Sequence, residues 1–249
     1  MAFRVGKLPY LHSEPFYFDM ERRGIELVTL VPTELTKAAE AGDIDAGPLA
    51  LVDAFRLEDQ FDAVSGFCVA TMGRSQSSFL YSKVPIEELA GAQIGVIDET
   101  CTSIKLLQVL LQQKYQVEPA NYVGLQDPND AMLLMGNRGL RQRRGARGYP
   151  HAYDLGTEWG TWTGLPFVFA RWVARKGSDH QELALLEDTL YVGLEEGVDA
   201  LYHTSEPREA LLMLPRDVVD YVQGLRYFIG MSEQKSIDLF REKLANLEG

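Results

Sequence analysis

The stretch from residue 94 to 111, IGVIDETCTSIKLLQVLL, passes from an apolar run into an apolar-periodic helix through Thr100, Cys101, Thr102 and Ser103. A helix start presents N–H groups without intrahelical partners and a partial positive charge, so a carboxylate or phosphate binds there readily. Small side chains let the anion reach the backbone, and hydroxyls add donors. Thr100, Thr102 and Ser103 are therefore candidate anion-binding residues. Ordinary helix capping is the alternative, and capping needs only one such residue.

A second group of candidates sits in the loop LPYLHSEPF, directly after the first apolar run. His12 changes charge near neutral pH and is the candidate acid–base group, with Tyr10, Ser13 and Glu14 beside it. A packed or solvated loop histidine is the alternative, and Glu14 reads as a solvated charge. A third group, Arg74, Ser75, Gln76, Ser77 and Ser78 in MGRSQSSFLYSK, falls near an expected crossover between lobes. Polar residues there could bridge to a ligand on closure, or form an exposed hairpin turn. Asn137 and Arg138, at the end of AMLLMG, are placed to face a cleft. The other arginines of GNRGLRQRRGARG read as a solvated loop. No Gly-rich phosphate loop, metal-ligand spacing or nucleophile elbow appears, so neither metal nor organic cofactor is expected.

The elements that would position these residues alternate between strand and helix, which predicts an α/β fold. FRVGKL, IELVTLVP and IDAGPLA read as strands, and the loop after the first leads towards a helix ending near RRG. TELTKAAEAGD is a helix with Thr33 as N-cap and Gly42 as its stop. FDAVSGFCVAT and SSFLYSK resemble a strand pair around MGRSQ. AQIGVI, ANYVGL, AMLLMG and FVFARWVARK read as further strands, and residues 180–247 as mostly helical. The segment YDLGTEWGTWTGLPFVFARW holds Trp159, Trp162 and Trp172 and reads as core rather than as a stacking platform. Two lobes are expected, residues 1–85 with 166–249 and residues 86–165, with a ligand cleft at the carboxyl ends of strands.

The bulk numbers exclude several classes. At 249 residues, with 46% hydrophobic and 24% charged residues, the chain has ample material for a core. A net charge of −12 opposes binding to nucleic acid, yet leaves room for a locally positive cleft that takes a small anion. Cys68 and Cys101 make no disulfide framework. Nothing resembles a secretory leader or the roughly 18 apolar residues of a membrane span, so a cytoplasmic protein without membrane contact is expected. Both a monomer and a homodimer fit.

In this order, GKLPYLHSEPF, VPTELTKAAEAGDIDAGPLAL, SKVPIEELAGAQIGVIDETCTSIKLLQVLL, AMLLMGNRGL and YDLGTEWGTWTGLPFVFARWVAR resemble the menaquinone-biosynthesis family of the futalosine route, in particular its chorismate dehydratase branch. The likeness spans most of residues 3–176 and fades into a helical tail. It implies a type II periplasmic-binding-protein fold used for catalysis, with loss of water from chorismate to give 3-(1-carboxyvinyloxy)benzoate and no metal or organic cofactor. It also implies that the enolpyruvyl carboxylate of the substrate takes the ring proton, so that the protein acts by orientation and electrostatics. Thr100, Thr102 and Ser103 fall on the family's Ser/Thr-rich turn and Ser77 on its hinge serine. Three departures stand out. His12 occupies the place of an Asn, Gln76 that of an Arg, and Asn137 that of an Asp in a Gly-Asp-Arg turn. Asn→His keeps a hydrogen-bonding side chain but adds a titratable one, and losing an Arg removes a bidentate carboxylate partner.

Overall fold

The computed structural model describes residues 3–97, 101–204 and 208–247. Among these the chain begins with β1 (Arg4–Lys7), a 3-10 turn over Leu11–Tyr17, β2 (Glu26–Thr29), α1 (Pro32–Ala41), β3 (Ala46–Ala50) and α2 (Leu51–Arg56). It continues with β4 (Phe61–Thr71), β5 (Phe79–Ser82), β6 (Gln93–Val96), α3 (Cys101–Val109), β7 (Asn121–Gly124), β8 (Ala131–Leu134) and α4 (Gly136–Gln142). The remainder is β9 (His151–Asp154), α5 (Leu155–Thr163), β10 (Phe167–Arg175), α6 (His180–Thr204), α7 (Pro215–Gln223), β11 (Leu225–Phe228) and α8 (Met231–Ala245). By packing, the chain divides into two compact units: residues 1–70 with 168–230, and residues 71–167 with 231–249.

The first unit is built on a six-stranded sheet in the order β11-β4-β10-β3-β1-β2. β1 pairs in parallel with both β2 and β3, and β10 runs antiparallel to β3. Phe16, Phe67 and Trp172 are all fully buried in one cluster with Met20, Leu186 and Leu190. The ring of Phe16 meets Trp172 at 5.3 Å and Tyr227 at 5.2 Å, both edge-on. The 3-10 turn lies directly against α6. A Cβ at Gly193 or Gly197 would come within 2.5 and 2.9 Å of the Pro15 carbonyl oxygen, so only glycine permits this approach.

The second unit holds a five-stranded sheet in the order β7-β6-β8-β5-β9. β6 is parallel to β7 and β8, while β5 runs antiparallel to β8 and β9. The last helix, α8, belongs to this unit. Phe240 packs edge-on against Phe167 at 4.9 Å and Trp159 at 5.8 Å, and Trp159 Nε1 donates to Ser236 Oγ at 3.0 Å. Trp159 and Trp172 are both core residues, with no exposed surface.

Several sequence expectations fall differently. The compact units divide at 70/71, 167/168 and 230/231, and the last division follows from the aromatic contacts that hold α8 in the second unit. β4 and β5 belong to different sheets, so MGRSQ is no hairpin turn. Thr33 is not the cap of α1. Val31 precedes the helix, and Pro32, whose fixed φ suits a first helical position, opens it; Gly42 closes it at φ 79° as expected. The loop after β1 forms a 3-10 turn rather than an α-helix reaching RRG. The arginine-rich run starts as α4, and the helical tail contains β11.

Candidate functional site

In the first unit the candidates cluster on the 3-10 turn that follows the carboxyl end of β1. Tyr10 enters it in an extended conformation, and the Ser13 N–H donates to the Tyr10 carbonyl at 3.0 Å. The Tyr10 and His12 rings lie 5.5 Å apart with planes inclined by 37°. The His12 carbonyl accepts from the Tyr227 hydroxyl at 3.1 Å. Burial pushes the His12 imidazole down to about 4, so near neutral pH it is uncharged and offers one N–H donor and one acceptor nitrogen. Ser13 is fully buried, and its hydroxyl oxygen has no hydrogen-bond partner among the described residues. Glu14 is not merely solvated. It accepts from Arg208 Nη2 at 2.6 Å, and burial raises its carboxyl against the opposing pull of Arg208 and Lys7.

In the second unit the candidates gather around residues 73–78. Thr102 and Ser103, in the first turn of α3, are both buried, and Ser78 Oγ donates to Ser103 Oγ at 3.2 Å. Thr100 lies outside the described residues. Gln76 and Ser77 are half-buried. Gln76 adopts φ 58°, in the left-handed region, and Ser77 Oγ donates to the Ser75 carbonyl at 3.3 Å. Asn137 is half-buried and Arg138 exposed, at the start of α4. Gly139, in the same helix, sits so close that a Cβ there would meet the Ser77 carbonyl oxygen at 2.0 Å. The structure thus brings Ser77, Ser78, Ser103 and the start of α4 together within this unit.

Two residues that sequence reasoning passed over organise these groups. Tyr227 holds the His12 main chain. Asp154, buried at the end of β9, accepts from the N–H groups of Ser75 and Gln76, each at 2.8 Å, and caps α5 through the Thr157 N–H at 3.0 Å. The signal for Asp154 was an Asp three residues before a Thr at a helix start; Tyr227 gave none. Among the described residues no group of three or more His, Cys, Asp and Glu is placed to hold a metal ion. No helix among them is long and apolar enough to cross a membrane.

Two α/β units with mixed sheets, linked by repeated crossings of the chain, define a periplasmic-binding-protein-like fold. Solved structures agree. An Archaeoglobus fulgidus protein matches with a TM-score of 0.72 at 17% identity, covering 98% of this chain and 97% of its own. The periplasmic aliphatic sulphonate binding protein SsuA from Escherichia coli matches at 0.60 and 12% identity, over 99% and 86%. The sequence fits the family described as menaquinone biosynthesis across residues 3–246, and the chain belongs to that family. It is 25% identical over 260 residues to chorismate dehydratase from Thermus thermophilus, covering 96% of this chain and 94% of that protein.

Proposed function

We propose that the protein is a carbon–oxygen lyase that removes water from chorismate, giving 3-(1-carboxyvinyloxy)benzoate. The observation that carries the reading is the near end-to-end match to a chorismate dehydratase inside the menaquinone-biosynthesis family. The chemistry of the candidate residues supports it. Chorismate carries two carboxylates, and the buried hydroxyls of Thr102 and Ser103 at a helix start, with Ser77, are donors suited to one of them. Thr100 shares that role, while Gln76, Asn137 and Arg138 supply further polar contacts.

In the reaction a proton leaves one ring carbon and hydroxide leaves its neighbour, and the new double bond completes the aromatic ring. The substrate's enolpyruvyl carboxylate takes the proton, which leaves with the hydroxide as water. The protein's task is to fix that geometry and to stabilise the departing oxygen. His12, neutral near pH 7, orients the leaving hydroxyl through a ring N–H rather than acting as a charged acid. Tyr10 and Ser13, on the same 3-10 turn as His12, are further substrate contacts in this reading.

The test is to incubate purified protein with chorismate and follow the mixture by chromatography and mass. The dehydrated benzoate ether should appear, and His12→Ala should abolish turnover while chorismate still binds. Absence of product, with or without a melting shift on adding chorismate, sinks the lyase reading. Product formation by His12→Ala at the wild-type rate rejects the role given to His12.

A further inference from the structure

We infer that Asp154 is a positioning residue that sets the conformation of residues 75–78 and so the presentation of Gln76 and Ser77 to substrate; the inference rests on the lyase reading, in which those two residues contact chorismate. Asp154 is 7% exposed, yet among the described residues its carboxylate is met by N–H and O–H donors rather than by a cation. One oxygen accepts from the Ser75 N–H at 2.8 Å, the Thr157 N–H at 3.0 Å and the Thr157 hydroxyl at 3.4 Å. The other accepts from the Gln76 N–H at 2.8 Å and the Ser75 hydroxyl at 3.1 Å. A carboxylate taken from water keeps its charge at low cost only with donors of this kind, and these donors are thereby fixed in place.

The hold passes along the chain. Ser75 Oγ, anchored on Asp154, accepts from the Ser78 N–H at 3.0 Å and the Ser77 N–H at 3.4 Å. Ser78 Oγ then donates to Ser103 Oγ, which joins the loop to the first turn of α3. Gln76 sits at φ 58°, a conformation that a residue with a Cβ keeps only when its surroundings enforce it, and its own N–H is bound by Asp154. Two helices press on the loop through glycines. A Cβ at Gly156 would lie 2.4 Å from the Gly73 carbonyl oxygen, and one at Gly139 2.0 Å from that of Ser77.

A chemical consequence follows. The N–H groups of Ser75 and Gln76 are taken by a carboxylate of the protein, so a substrate carboxylate finds them occupied. The loop meets substrate through the Gln76 side-chain amide and through the Ser77 hydroxyl, which also donates to the Ser75 carbonyl, and Asp154 sets the placement of both. Asp154 itself does not touch the substrate.

Asp154→Asn places an NH2 where an acceptor stood, so one backbone N–H meets a donor instead of an oxygen. Ser75→Ala removes only the hydroxyl relay and is the gentler variant. Both are compared with wild type by amide hydrogen exchange over residues 75–78, by KM and kcat for chorismate, and by melting temperature. The expected result is exchange faster by about tenfold or more and KM raised by about tenfold, with kcat changed by less than about threefold, the pattern of lost substrate positioning. A lowered melting temperature with unchanged KM makes Asp154 purely structural and overturns the inference. So does unchanged exchange in both variants. If Asp154→Asn does not fold, Ser75→Ala decides alone. If wild type does not turn chorismate over, the lyase reading fails separately, and protection retained over residues 75–78 in the variants still overturns the positioning role.

Discussion

The phenol of Tyr227 donates to the main-chain carbonyl of His12 at 3.1 Å, joining two residues 215 positions apart. β11, which carries Tyr227, thus reaches the turn that holds the candidate catalytic side chain. Tyr227→Phe keeps the edge-on contact with Phe16 and removes only this bond. A single hydrogen bond of this sort contributes roughly 1 kcal/mol, so stability should fall by about that amount. If the bond also fixes the His12 ring, kcat/KM should drop by about fivefold. Urea unfolding and steady-state kinetics read the two effects. Lost stability with unchanged kinetics would confine Tyr227 to the fold.

His12 makes the stability depend on pH in a definite direction. Its imidazole titrates near 6.5 when unfolded and near 4 when folded, because burial disfavours the charged ring. Its contribution is therefore complete above about pH 6.5 and is lost as pH falls towards 4, when the unfolded chain gains a proton that the folded one refuses. The whole interval corresponds to roughly 3 kcal/mol, and the partial exposure of the residue lowers that to about 2 kcal/mol. Glu14, raised by burial, acts with the opposite sign, so the comparison must be with His12→Asn, which leaves Glu14 in place. The variant should lose less stability than wild type between pH 7 and pH 4.5. Parallel urea midpoints across that range would refute the buried neutral imidazole. The same neutrality predicts a kcat with no limb due to His12 between pH 6 and pH 8.

The two glycines of α6 bring the helix against the turn that bears His12. Gly193→Ala would place a Cβ 2.5 Å from the Pro15 carbonyl oxygen and 3.0 Å from that of Phe16, both backbone atoms that cannot swing aside. Alanine favours a helix over glycine by about 1 kcal/mol, but overpacking of this kind costs about 1–3 kcal/mol. The net should be a loss near 1 kcal/mol, with a fall in kcat as the turn bearing His12 is displaced. Calorimetry and kinetics check both. A more stable, fully active variant would mean that the turn yields without consequence.

How much of this was legible in the residues differs by position. Local periodicity and turn chemistry exposed β1, α1 with its Gly42 stop, β6 and the start of α3, because each depends on neighbours in sequence. The place of α8 was hidden, since what decides it is Phe240 meeting Trp159 and Phe167, contacts that no local pattern encodes. MGRSQ looked like a hairpin because both flanks are strand formers, while sheet membership is settled by distant partners. His12, Ser77 and Ser103 were visible as residue types able to do chemistry. Tyr227 was not, and Asp154 showed only as a helix cap three residues before Thr157, because a residue that acts by holding another carries no chemical signature of that role.

The Gln76 side chain offers the sharpest test of what the second unit contributes to binding. Its backbone is fixed by Asp154, so a substitution there changes the side chain with little effect on the loop. An arginine tolerates φ 58° about as well as a glutamine, since both carry the same Cβ and unbranched stem. Gln76→Arg would add a planar cation able to grip a carboxylate with two hydrogen bonds, and charge-assisted bonds contribute about 1.5–3 kcal/mol. KM for chorismate should fall by about tenfold or more at low ionic strength, and the gain should shrink as salt is added. The carboxylate is present in both ground and transition states, so kcat should stay nearly unchanged. Steady-state kinetics across a salt series separates the outcomes. A KM that does not move at low salt would mean that the side chain at position 76 never meets the substrate, and the second unit's contribution would then rest on Ser77, Thr102 and Ser103.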